Sequence, residues 1–362
     1  MRIVSVHAHP WTLPLVSPFV IAARSATEAR NVRIRVETED KSKGGDGASA
    51  PVGYVTGESV ETVLDALQSV AQHFEGQPTD RLGPLLELAA RFLPDSPAAR
   101  AGLEMALYDA WAKRWDLPLW QHFGARQARL TTDLTIPLVP SEEAAQLALG
   151  AWAEGFRALK IKVGDAEGPG ADLERIAAVV RAVPAVRLRI DANQAFAPDA
   201  AVAFAQNLAA TGATVELLEQ PVLKEDVAGL KYVRERVSVP VFADESARSI
   251  PEVLRLLRED AVDGVNVKLM KSGLVGAFEI VALCRAHGKK LMLGCMLETG
   301  LGIAAAAQMA GGLGAFDYLD LDSHRLLRPI PGLSGGFECV GEDLAVGGQA
   351  QAGWGVEMPA AG

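Results

Sequence analysis

From about Leu130 onward, short apolar runs recur along the chain, each followed by a segment with helical spacing. The runs are "LTIPLV" from Leu134, "LKIKV" from Leu159, "LRIDAN" from Leu188, "ELLEQP" from Glu216, "VFADE" from Val241, "VNVKL" from Val265, "LMLGCML" from Leu291 and "YLDLD" from Tyr318. Between them, "DAAVAFAQNLAATG" and "SIPEVLRLLRED" carry apolar residues at the 3.6-residue period of a helix with one buried face. Eight β-type runs alternating with helices predict an α/β protein built as a (β/α) barrel.

The chain before Leu130 reads as α+β. "MRIVSVHAHPWTLPL" and "VRIRVET" (Val32 to Thr38) alternate like strands. The intervening "VSPFVIAARSATEAR" is expected to be a loop long enough to move, and the Gly/Ser/Lys-rich stretch Glu39 to Gly53 a flexible loop. A helix is predicted in "SVETVLDALQSVAQHFEG", with Ser59 as its cap. Another is predicted in "SPAARAGLEMALYDAWAKRW", capped by Ser96 with Pro97 in the first turn. Leu103, Leu107, Ala110 and Trp111 would form its buried face.

Composition removes several classes of function. The net charge of −10, with no basic run, speaks against nucleic acid and anionic membrane as partners. The most apolar stretch, from Gly302, is short and Gly-rich, unlike a spanning helix. His7, His9 and Pro10 interrupt what would be a signal-peptide core. Cys284, Cys295 and Cys339 are odd in number and far apart, which suggests neither a disulfide framework nor a zinc site and points to a cytoplasmic location.

The polar residues at the ends of the runs carry the chemistry. Lys160 and Lys162, Asp191, Glu219, Asp244 with Glu245, Lys268, Glu298, and Asp320 with Asp322 close successive runs. Their spacing of about 25 residues is the length of one βα unit, so each strand delivers its charge to one end of the barrel. In barrel enzymes that end holds the active site. Lys160 and Lys162 share a strand face, where two ammonium groups would repel. Asp191, Glu219 and Asp244 offer hard oxygens suited to Mg²⁺. Asn193 is expected to support Asp191. Glu245 is expected to face away from Asp244 and to be structural. His324 is expected to be a surface loop residue.

These motifs together resemble the enolase superfamily, muconate-lactonizing subgroup: "LKIKVG", "DANQ" at Asp191, "EQP" at Glu219, "ADES" at Asp244, "NVKLMKSG" around Lys268, and the helix "GLEMALYDAWAKRWDLPLWQHFG". The resemblance covers nearly the whole chain. It implies a modified TIM barrel, (β/α)7β, with an α+β N-terminal capping domain. The divisions would be 1–128 (capping lid), 129–325 (barrel) and 326–362 (a C-terminal segment returning to the capping domain).

Asp320-x-Asp322 is similar to the pair with which dipeptide epimerases hold the substrate's α-ammonium, and Arg24 matches a lid arginine of alanine–glutamate epimerases. The implied activity is Mg²⁺-dependent conversion of an L,L-dipeptide to its L,D-form by 1,1-proton transfer through an enediolate. L-Ala-L-Glu or another L-Ala-L-Xaa would be the substrate. Lys162 and Lys268 would act as base and acid on opposite faces. Lys160 would touch the substrate carboxylate and depress its neighbour's pKa. Asp191, Glu219 and Asp244 would bind one Mg²⁺, and Asp320, Asp322, Arg24 and Glu298 would contact substrate. The family is often oligomeric, so a homo-oligomer is expected.

Two features depart from the family pattern. "KSGL" from Lys271 has one glycine where two are common, and "GDGASAPVGYVTGES" replaces a Gly-x-Gly-Glu stretch near the lid. Alternatives on the same scaffold are muconate cycloisomerase, N-acylamino-acid racemase and o-succinylbenzoate synthase. Their substrates lack a free ammonium and suit the Asp pair poorly. A non-catalytic binding protein would not need the full set of lysines and acids.

Overall fold

The computed structural model describes residues 1–22, 24–346 and 351–359. Its N-terminal layer is a three-stranded antiparallel sheet of β1 (Ile3–Ile21), β2 (Arg24–Thr38) and β3 (Gly45–Ser49), in that order. Helices α1 (Val60–Val70), α2 (Leu82–Phe92) and α3 (Pro97–Arg114) accompany it. The stretch read as a mobile loop is instead the distal half of a long β1–β2 hairpin. After a register shift between Pro14 and Phe19, pairing resumes with Phe19 opposite Ala26 and Ile21 opposite Arg24. Pro18 and the small residues hid an edge strand, where a missing N–H is tolerated.

The Gly-rich stretch is also ordered. Lys41–Lys43 form a single 3₁₀ turn and Gly45–Ser49 a wholly buried strand. Its glycines are there for steric reasons. A Cβ on Gly45 would lie 1.9 Å from the Ala106 carbonyl oxygen, and one on Gly47 2.0 Å from that of Gly102. Strand β3 thus lies directly on the backbone of α3, closer than any side chain allows.

Two helix starts separate local from tertiary capping. Ser59 caps α1 as expected, in a reciprocal pair with Thr62. Ser96 makes no side-chain cap on α3. The buried Glu58 carboxylate takes that place, accepting from Ala98 N at 2.8 Å and Ala99 N at 3.1 Å. A carboxylate there also complements the helix dipole. Nor does α3 have one buried face: residues all round it are buried, because β3 covers one side and a later helix another.

After β4 (Arg129–Thr131), all eight expected barrel strands form. They are β5 (Leu134–Ile136), β6 (Ala158–Lys162), β7 (Arg187–Asp191), β8 (Thr214–Glu219), β9 (Val241–Ala243), β10 (Gly264–Val267), β11 (Lys290–Gly294) and β12 (Tyr318–Asp320). They pair in chain order as one parallel sheet from β5 to β12. Helices α4 (Leu119–His122), α5 (Ser141–Glu154), α6 (Pro169–Ala182), α7 (Pro198–Leu208), α8 (Val227–Arg234), α9 (Ile250–Arg258), α10 (Leu269–Ala286) and α11 (Gly300–Leu313) complete the chain up to β12. Among the described residues no ladder joins β5 to β12. That seam is bridged by single bonds: Asp133 N donates to Leu319 O at 3.2 Å, Leu321 N to Thr132 Oγ1 at 2.8 Å and Thr135 N to Asp322 Oδ2 at 2.6 Å.

The last segment folds back. Strand β15 (Asp343–Ala345), reached through β13 (Ser334–Gly335) and β14 (Glu338–Val340), pairs with β4, and β16 (Val356–Glu357) pairs with β13. The buried Trp354 indole donates to Met105 O on α3 at 3.0 Å. Residues 347–350 and 360–362 of the expected C-terminal segment lie outside the described residues.

Candidate active site

Alternation along the parallel strands points every second side chain into the barrel, and the strand ends carry them to its mouth. A cavity of about 410 Å³ opens there. Lys162, Asp244, Lys268, Asp320 and Asp322 line its barrel side. Phe19, Ile21, Arg24 and Tyr54 line its lid side. Lys162 ends β6 and Lys268 follows β10, so β7, β8 and β9 separate them.

The lysines and acids interlock. Lys162 Nζ donates to Asp191 Oδ2 at 2.5 Å, and Lys268 Nζ to Asp244 Oδ2 at 2.7 Å. Lys160 is 1 % exposed and lies beneath the cavity. Its ammonium touches Glu219 at 2.8 Å, Asp320 at 2.8 Å and Asp191 at 3.2 Å. The repulsion expected between the paired lysines is therefore offset by carboxylates on both. Lys160 meets acids where a substrate carboxylate was expected. Burial works to lower the Lys160 pKa, but Asp320, Glu219 and Asp191 outweigh it and hold it well above the ordinary lysine value. The Lys268 ammonium is likewise held up, burial being overcome by Asp244.

The three expected metal ligands end adjacent strands and are fully buried. Burial would raise Asp191 and Asp244, but Lys162 and Lys160 hold the first down, and Lys268 and Lys271 the second. Glu219 is pushed up to about 7, by burial first and then by Asp191. Buried carboxylates with cations pressed against them, and no thiolate or imidazole among them, are a donor set that fits a hard divalent ion such as Mg²⁺. Asn193 N donates to Asp191 Oδ1 at 3.0 Å, and its side chain donates to Glu245 Oε1 at 3.3 Å. Contrary to expectation, Glu245 lines the cavity.

The remaining expected residues divide. Asp320 and Asp322 both face the cavity. Arg24 reaches it too, its guanidinium lying 3.6 Å over the Tyr54 ring. Glu298 does not line it. Its carboxylate turns back to accept Met296 N at 2.9 Å, and burial pushes it up to about 7. It braces the loop after β11 where substrate contact was expected.

The sequence reading assigned no part in the site to four residues. Lys271 Nζ donates to Asp244 Oδ1 at 2.6 Å and to the Asn266 carbonyl at 2.7 Å. Gly273, at φ +72°, breaks α10 just beyond it. Tyr54 roofs the cavity. Asp133 stands two residues before Thr135, the same spacing that places Lys160 below Lys162. That period-two signal was present in the sequence.

Comparison with known proteins agrees with this architecture. Residues 2–124 match the mandelate racemase / muconate lactonizing enzyme N-terminal domain, and residues 143–361 the enolase C-terminal domain-like family. An L-Ala-D/L-amino acid epimerase of Populus trichocarpa is 37% identical over 90% of this chain and 78% of its own. An L-Ala-D/L-Glu epimerase of Bacillus subtilis is 35% identical over 96% of this chain and 95% of its own. The solved dipeptide epimerase of Enterococcus faecalis V583, complexed with Mg and the dipeptide L-Leu-L-Tyr, superposes with a TM-score of 0.93 at 34% identity, covering 99% of this chain and 100% of that one. With both halves matched in one chain, and with the acids and lysines gathered at the mouth of a parallel barrel, the protein belongs to the mandelate racemase / muconate lactonizing enzyme family of the enolase superfamily.

Proposed function

We propose that the protein is a dipeptide epimerase that converts an L,L-dipeptide, L-Ala-L-Glu or another L-Ala-L-Xaa, to its L,D-form. The observation that carries this reading is Lys162 and Lys268 on opposite sides of one cavity that also contains Asp320 and Asp322. A base on one face and an acid on the other invert a carbon by 1,1-proton transfer. Asp320 and Asp322 hold the substrate's α-ammonium, which fixes the next residue's α-carbon between the lysines. Asp191, Glu219 and Asp244 would hold Mg²⁺, whose charge stabilises the enediolate form of the substrate carboxylate.

Lys160 fixes those acids from below and Asn193 orients Asp191, while Arg24 on the hairpin faces the substrate's second side chain. The lid, barrel and return segments at 1–128, 129–325 and 326–362 divide these tasks. A cytoplasmic location and a homo-oligomeric state belong to the same reading. The described residues contain no helix long and apolar enough to cross a membrane, and the cysteines are free.

The test is a library of L-Ala-L-Xaa dipeptides incubated with enzyme and Mg²⁺ in D₂O and read by mass spectrometry. One-deuteron incorporation with inversion is expected for a subset of dipeptides. No incorporation into any of them would refute the reading.

A further inference from the structure

Beneath the Asp320/Asp322 pair lies a buried ion pair with no part in the mechanism above. Arg189, on β7 one inward step below Asp191, is 4 % exposed. It donates from Nη1 to Asp133 Oδ2 at 2.8 Å and to Leu319 O at 2.6 Å, and from Nε to Glu216 Oε2 at 2.9 Å. Asp133 is fully buried, and its Oδ1 has no hydrogen-bond partner. Carboxylate oxygens of Asp133, Asp320 and Asp322 lie within 4.8 Å of one another.

A buried pair of this kind is a poor source of stability, because an apolar replacement of similar volume often serves as well. Its placement suggests a different purpose. Asp320 already has Lys160, while Asp322 accepts from the Thr135 N–H and, among the described residues, makes no ion pair. Asp322 is thus left for a cation that arrives from the cavity. Arg189 is a further claimant within the field of Asp320, a permanent cation on β7 with a planar fork matched to carboxylates.

We propose that Asp133 is a positioning residue whose carboxylate occupies Arg189 and keeps the guanidinium off the Asp320/Asp322 pair, so that the pair stays open to the substrate's α-ammonium. This rests on the dipeptide reading of the site. Asp133 itself never touches substrate. If its charge is removed, Arg189 keeps Glu216 on its Nε side but loses the carboxylate on its Nη1 side, and that side competes with the ammonium for the two acids. If Arg189 is removed as well, the competitor is gone.

The experiment is a double-mutant cycle on the full chain with Mg²⁺, using the dipeptide that the wild-type enzyme turns over fastest. Asp133→Asn is expected to raise KM about tenfold with kcat within about threefold and the calorimetric Kd for Mg²⁺ within about twofold. Asp133→Asn combined with Arg189→Met is expected to bring KM back to within about threefold of wild type. An unchanged KM in the single variant, or a double variant no better than the single, overturns the proposal. A parallel loss of kcat and Mg²⁺ affinity does so too, because it marks a merely structural pair.

Should Asp133→Asn not fold, Arg189→Met alone decides. Its KM stays at or below wild type if the guanidinium is the competitor, and a rise refutes the proposal. Wild-type enzyme that exchanges no dipeptide proton fails the functional reading instead, and so separates the two failures.

Discussion

The strand ends of the barrel and the hairpin above them hold charge in opposite ways. At the strand ends every lysine touches a carboxylate: Lys160 meets three, Lys162 meets Asp191, Lys268 and Lys271 meet Asp244. All four lysines are buried. On the hairpin, Arg24 and Glu28 are exposed, and Arg24 rests on one aromatic ring. Interlocked buried charges cannot move singly, because each loss strands a partner in low dielectric. An exposed arginine on a ring can. On the proposed function, the reaction would be fixed by the part that resists change and the choice of substrate left to the part that allows it.

The comparison breaks most visibly at the lysines. Lys162→Ala and Lys268→Ala should each lower epimerisation on the order of 10³-fold while Mg²⁺ still binds. Each variant should retain α-proton exchange from only one epimer, as read by NMR in D₂O. Exchange from both epimers in either variant would show that the two lysines do not serve opposite faces of the substrate.

The capping layer should fail by folding and not by chemistry. Gly47→Ala places a methyl against the Gly102 carbonyl. It should lower unfolding stability by about 3 kcal/mol in denaturant titration, with kcat per folded molecule preserved. A pH effect sharpens the same boundary. Glu104, buried on α3 and accepting Leu274 N at 2.5 Å, is pushed up to about 7, by burial before all else. An acid raised in the folded state gives full stability below its unfolded value and loses it as pH rises toward the folded one. Glu104→Gln should therefore gain on wild type between pH 4.5 and pH 7, by up to about 3 kcal/mol, in paired melts. A gap that does not grow with pH would deny Glu104 that cost.

The smallest effect belongs to Arg24. Arg24→Ala should raise KM about fivefold for dipeptides with an acidic second residue and leave apolar ones unchanged. An equal rise for both would make it part of the fixed machinery.

The barrel was legible because each unit states its end in polar letters: Lys162, Asp191, Glu219, Asp244 and Lys268 each follow a β-branched or leucine run at a regular interval. The register of such strands is set locally by period-two alternation. The lid was misread because its order comes from tertiary contact. Gly45–Ser49 looks flexible until the α3 backbone is placed against it, and Phe19–Ile21 looks like a loop until it pairs with Arg24–Ala26. Glu58 could not be recognised as the α3 cap, since it is 40 residues from Ala98 in sequence. Glu298 sits at a strand end like the others, but its carboxylate turns onto its own loop, a rotamer choice that spacing does not encode.

The contact of β3 with α3 bears on how this lid can be altered. The atoms that would meet a Cβ at Gly45 or Gly47 belong to carbonyls of Ala106 and Gly102, and a Cβ at Gly102 would in turn come within 2.5 Å of Ile34 Cδ1. Main-chain atoms cannot be trimmed by substitution elsewhere, so no second-site change on the helix can suppress a methyl added to the strand. For anyone grafting lids between relatives, Gly45, Gly47 and Gly102 form one indivisible cassette. The recombination points that remain are the hairpin tip and the turn at Lys41–Lys43, where exchange leaves that cassette whole.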